Sequence, residues 1–184
     1  MTEINLQSRF KTRLLKPLKP LDETLIAFIV LPKEVSEKFP RRGRTSAKGK
    51  INGHNFQVTL EPDGKLSHWF KIDNDLLVRI DAKFGDTVTL DLAPVKKEPE
   101  PLISIDFQQH LKSVPEANIV WNQTTTIARV DWIHWIESAK QHKTRNKRIN
   151  DACDMLASGN KRVCCFDQSG FYSKAMSAPK EAGI

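Results

Sequence analysis

Between Lys38 and Lys50 the chain carries six cations, Lys38, Arg41, Arg42, Arg44, Lys48 and Lys50, and no carboxylate. Arginine offers a planar fork of donors that matches phosphate, and Gly43 and Gly49 allow backbone N–H groups to approach an anion closely. Arg41, Arg42, Arg44, Lys48 and Lys50 are therefore candidate anion-binding residues. The competing account is a solvated loop leading into a strand, since the run lacks the spacing of a phosphate loop. A second basic set, Lys140, Lys143, Lys147 and Arg148, recurs at helical spacing, with Arg145 among them. Arrayed on one face, these residues would lie along a phosphate backbone. Here salt bridging competes, because Glu137, Asp151 and Asp154 fall within helical reach of Arg145 and Arg148.

His54 and His68 lie near Asp63 and Asp73 in sequence, and a histidine oriented by a carboxylate can act as a general base. No Gly-x-Ser-x-Gly motif supplies a nucleophile and no His-Glu-x-x-His cluster supplies metal ligands. Hydrogen-bonded or solvated histidines are the simpler account, and neither a metal nor a cofactor is expected. Trp121, Trp132 and Trp135 could stack on bases, but an apolar seal between a helix and the barrel explains them as well. Cys153, Cys164 and Cys165 are odd in number, two of them adjacent, with no Cys-x-x-Cys pair. That excludes a disulfide framework and a zinc site, and reduced thiols are expected.

The composition, 39% hydrophobic and 28% charged, is that of a globular chain of 184 residues rather than a disordered one. A net charge of +7 favours anionic partners: nucleic acid, phosphorylated metabolites, acidic proteins or lipid headgroups. The longest apolar run, Leu25 to Leu31, is too short to span a bilayer. The stretch from Met1 to Lys16 mixes charges and has no apolar export core, so a cytoplasmic protein is expected.

The elements that must hold these residues are strands first and helices later. Leu25 to Val30 is nearly all apolar, as in a strand covered on both sides. Pro32 opens a helical turn. Thr45 to Ile51 and Asn55 to Leu60 flank Asn52-Gly53, a strong hairpin signal. His68 to Ile72 and the alternating Thr87 to Leu92 are further strands, and Asp73 to Val78 is a short capped helix. This predicts an antiparallel barrel over residues 8–94 and a charged, proline-rich linker over 95–101. A helical segment should follow over 102–162, with a helix from Ile103 to Lys112 ended by Pro115. Ile127, Val130, Ile133 and Ile136 then give one apolar face. A break is expected near His142 to Thr144, and Gly159 stops the last helix. Residues 163–184 read as a flexible tail.

Val30-Leu31-Pro32-Lys33-Glu34-Val35, Lys50-Ile51-Asn52-Gly53 with Phe56, and Phe84-Gly85-Asp86-Thr87-Val88 resemble a bacterial and archaeal domain family of unknown function. Trp135-Ile136-Glu137-Ser138-Ala139-Lys140 and Lys143 to Ile149 resemble the YdeI/OmpD-associated, or bacteriocin-protection, segment that follows it in fused chains. The resemblance implies a β+α fold: a closed six-stranded Greek-key-like barrel, then a helical C-terminal segment. It carries no catalytic residues. The family name suggests envelope stress or peptide resistance. Two departures stand out: Leu25, Ala27 and Phe28 where a tryptophan is usual, and a tail from Cys164 with no counterpart.

The expected function is binding or interaction, with an anionic small molecule or nucleic acid held at the barrel rim near Arg41 to Lys50. The alternatives are an enzyme using His54 or His68 with an aspartate, or a stress-response adaptor whose helical segment engages a protein partner.

Overall fold

Asn52 and Gly53 hold φ of 47° and 84°, the left-handed pair that folds a two-residue hairpin. They join β3 (Thr45–Ile51) to β4 (His54–Pro62), which pair from Thr45↔Leu60 to Ile51↔His54. In the computed structural model, which describes residues 7–19, 26–163 and 177–183, the first unit adds four strands to this hairpin. They are β1 (Ser8–Arg13), β2 (Ala27–Val30), β5 (His68–Ile72) and β6 (Thr87–Pro94). The order is β1-β6-β3-β4-β5-β2, antiparallel throughout.

The sheet is an open half-barrel, which corrects the expected closed barrel. Among the described residues, edge strands β1 and β2 meet past the end of β1, where Leu15 and Phe28 exchange N–H···O bonds of 3.0 and 2.9 Å. Two features prevent closure: β2 has four residues, and β4 holds β5 through Glu61↔Trp69 and Pro62↔His68 alone. Alternation sends Ala47, Ile51, Phe56, Leu60, Val88, Leu90 and Leu92 into one apolar core with Ile29, Phe70 and Ile72. Helix α1 (Lys33–Ser36) contributes Val35. Helix α2 (Asn74–Arg79) contributes Leu76, and its cap Asp73 accepts the Leu76 N–H at 2.8 Å. The Phe84-Gly85-Asp86 turn is pinned to the end of β1, Gly85 N–H donating to the Leu14 carbonyl at 2.8 Å. Gly85 there holds φ of 85°. Leu25 of the expected second strand lies outside the described residues.

The second unit spans residues 98–175. Its described helices are α3 (Ile105–Ser113), α4 (Pro115–Asn122), α5 (Thr126–Glu137) and α6 (His142–Ala157). Pro115 does more than end a helix: it opens α4 at the first position, where a missing N–H costs nothing. The break falls at residues 138–141, slightly ahead of the expected place, and Gln141 caps α6. Trp121 and Trp132 are buried with Phe107, Ile133, Ile136, Ala152 and Leu156 in this unit's own core. Ile127, expected on the apolar face, is 39% exposed instead. Cys153 is fully buried, and burial pushes its thiol up to about 11. Cys164 and Cys165 lie outside the described residues.

Residues 177–183, expected to belong to a flexible tail, run beside the chain that follows β1. Leu18 N–H donates to the Lys180 carbonyl at 2.7 Å and Ala182 N–H to that of Lys16 at 2.8 Å. An Arg13–Glu181 ion pair at 3.0 Å adds to these. The rest of the expected tail, residues 164–176 and Ile184, lies outside the described residues.

Candidate functional site

Strand alternation turns Lys48 and Lys50 away from the core while Ala47 and Ile51 face it. The register sets Lys48 beside Gln57 and Ala93, and Lys50 beside Asn55 and Asp91. Arg9 lies opposite Asp91 from the other side. These side chains, with Gln7, line an open groove of about 710 Å³ on the outward face of the sheet. Gly49 sits in its floor because nothing larger fits: a Cβ would come within 1.8 Å of the Asp91 carbonyl oxygen. The Arg9–Asp91 pair, at 3.9 Å with Arg9 76% exposed, is solvent-screened. One carboxylate therefore faces three cations, and three amide side chains add donors and acceptors.

The rest of the expected anion loop lies elsewhere. Arg44 Nε donates to Glu61 Oε2 on β4 at 3.1 Å and lies 3.0 Å from Oε1, and both side chains are largely buried. The run has no carboxylate in sequence, but the hairpin register brings one to it. The Arg41 guanidinium folds against Gly43, and Arg42 is exposed. The structure thus brings Lys48 and Lys50 to the groove and does not bring Arg41, Arg42 or Arg44.

The loop is held from beneath by His68, 1% exposed on β5. Its Nδ1 accepts from the Ser36 hydroxyl at 2.7 Å and its Nε2–H donates to the Gly43 carbonyl at 3.1 Å. Burial is the main cause holding its pKa below the ordinary histidine value, against the Gly43 carbonyl and the field of Asp63, which raise it. With both ring nitrogens engaged and the ring out of reach of solvent, His68 is a clasp. Asp63 accepts the N–H groups of Lys65 and Ser67 at 2.7 and 2.8 Å, and Asp73 caps α2, so each carboxylate has backbone work. His54 is exposed in the hairpin.

The basic helix divides as well. Lys140 falls in the break before α6, so it does not continue that helix's face. Lys143 is exposed. Arg145 turns inward to the carboxylate of Asp106 and to Ser104 Oγ at 2.9 Å, holding the Asp106 carboxyl far below the usual range. Arg148 donates to the Trp135 carbonyl and to Ser138 Oγ at 2.9 Å, and its guanidinium lies 5.3 Å from the centre of the Trp135 ring. Of the acids expected beside Arg145, Glu137 still acts on it through its charge, though the hydrogen bonds of Arg145 go to Asp106 and Ser104. Lys147 pairs with Asp151 at 2.6 Å.

Sequence reasoning missed Arg9, Gln7, Asn55 and Gln57. The available signal was alternation: Arg9, Lys11 and Arg13 recur every second residue, the period of one strand face. Among the described residues no cluster of His, Cys, Asp or Glu is arranged to hold a metal, and no helix is long and apolar enough to cross a membrane.

An open antiparallel half-barrel followed by a helical unit defines the class: a two-unit β+α protein. Residues 10–92 match the family described as domain of unknown function (DUF1905), and residues 101–159 match that described as bacteriocin-protection, YdeI or OmpD-associated. The two matches follow one another along the chain in the order that the spaced motifs implied. The chain matches no curated protein.

Proposed function

We propose that this protein is a binding module that holds an anionic ligand on the outward face of its sheet. The observation that carries the reading is the groove, where Arg9, Lys48 and Lys50 converge with Gln7, Asn55 and Gln57, and where Asp91 is the one acid among the described lining residues. Lysine and arginine donors to an anion form charge-assisted bonds, and the amides add directional contacts that select among anions. Arg42 is exposed in the loop before β3 and does not line this groove. Arg44 is already committed to Glu61 and makes a poor reporter of binding.

The experiment is calorimetric titration with mononucleotides, RNA, DNA and acidic peptides. Lys48→Ala combined with Lys50→Ala should weaken binding by about 2–4 kcal/mol, since bonds to charged groups contribute roughly 1.5–3 kcal/mol each and do not add fully. Thermal stability should barely change, because both lysines are exposed. Unchanged affinity across the panel sinks the reading. An adaptor would then lead, on the exposure of Leu102 at 91%, Ile105 at 75% and Ile119 at 58% in the helical unit and on the bacteriocin-protection name of its family.

A further inference from the structure

Arg9 and Arg13 stand four residues apart on β1, and each lines a different concavity. Arg9 borders the groove that holds Lys48 and Lys50. Arg13 borders a smaller cavity of about 170 Å³ with Lys16, Phe84 and its own ion-pair partner Glu181. Alternation sends Arg9, Lys11 and Arg13 to one side of the strand, and all three are exposed there, over a span of about 14 Å. Beyond them, Lys16 Nζ lies 5.4 Å from the centre of the Phe84 ring, which is 42% exposed. Cations thus recur at Arg9, Lys11, Arg13 and Lys16 along the β1 edge of the sheet, with Lys50 on β3 across Asp91 from Arg9. Among the described residues Asp91 and Glu181 are ion-paired within the row, and the row ends at an exposed aromatic ring.

We propose that this edge binds a single strand of nucleic acid, with phosphates along β1 and a base against Phe84. The proposal rests on the anion-binding reading of the same face and names its ligand. A mononucleotide fills one concavity, whereas a linear polyanion uses both and the cation between them. Amides carry donors and acceptors together, which suits base edges, while a phosphate needs donors alone. Single strands leave those edges and the base faces free, and an exposed ring beside a lysine is a stacking platform. An acidic peptide would satisfy the cations but gives the ring and the amides no specific partner. Charged residues on an edge strand also deter sheet-to-sheet aggregation. That explains Lys11 but not the two concavities it connects.

The test is fluorescence anisotropy of the whole chain with labelled oligothymidylate and oligouridylate of about 12 nucleotides. Thymidine monophosphate, a duplex of the same length and a decaglutamate peptide are the comparison probes. With Arg13 already paired to Glu181 and about four phosphates neutralised, single-strand affinity should fall about 50-fold between roughly 50 and 200 mM salt. Lys11→Ala should reduce the slope of log affinity against log salt by about 0.7. Phe84→Ala should weaken binding about tenfold, as loss of one stack does. Melting curves check that each variant is folded, and Lys11→Glu, at an exposed position, supplies an independent variant. An oligonucleotide that binds no tighter than the monophosphate, with both still sensitive to Lys48→Ala and Lys50→Ala, overturns the strand and leaves the anion site standing. Decaglutamate or duplex binding as tightly as the single strand overturns the ligand class. Binding by none of the probes overturns this proposal and the anion site together.

Discussion

His68 ties three pieces of chain together through one ring: α1 through Ser36, the basic loop through the Gly43 carbonyl, and its own strand β5. Phe39 packs against it, ring centres 6.0 Å apart. Because the folded protein holds this imidazole below its ordinary pKa, the unfolded chain takes up the proton first as pH falls. The contribution is therefore whole above the unfolded value of about 6.5 and is lost as pH drops through the folded value. The charges facing the ring act in both directions, Asp63 favouring the proton and Arg41 opposing it, with burial as the largest influence. His68→Gln should cost about 1–3 kcal/mol at pH 8, through unmet hydrogen bonds at Ser36 and Gly43. It should also lose less further stability than the wild type on acidification to pH 5. Urea unfolding of both proteins at the two pH values checks this, and equal acid losses would remove His68 as the cause. The sequence suggested a histidine near an aspartate. It could not show that both nitrogens are consumed, because Ser36 and Gly43 come to the ring only in the folded chain.

At the scale of elements, the hairpin and helix ends were legible because they depend on local chemistry. Asn52-Gly53, the Asp73 cap and Gly159 with φ of 89° each act within a few residues of themselves. What depends on distant chain was not legible. Closure of the sheet turns on how many residues β4 and β5 share, and the partner of Arg145 is Asp106, 39 residues away. The candidate site was half legible for the same reason. Lys48 and Lys50 stood in a conspicuous run, whereas Arg9 joins them only because β6 enters between β1 and β3. Gly49 is the place where this arrangement is most exposed to a single substitution. Gly49→Ala sets a Cβ against the Asp91 carbonyl, backbone that cannot move aside without breaking the Lys50↔Asp91 pairing. The expected cost is about 3 kcal/mol. A thermal melt that matches the wild type would show that β3 and β6 can part without loss.

For the whole molecule, a net charge of +7 draws anions but does not say where they settle. Three basic surfaces compete: the outward sheet face at Arg9, Lys48 and Lys50; the loop at Arg41, Arg42 and Arg44; and the helical unit at Lys140, Lys143 and Lys147. Structure ranks them by how much charge is already spent. Arg44, Arg145 and Lys147 have carboxylate partners and Arg148 is held by Trp135 and Ser138, while Lys48 and Lys50 line an open groove. The most direct test is a map of backbone amide chemical shifts during titration with oligothymidylate. The shifts should gather on Arg9, Lys11, Lys48, Lys50, Asn55 and Gln57. Shifts confined to Arg41–Arg44, or to residues 140–147 of the helical unit, would contradict this placement.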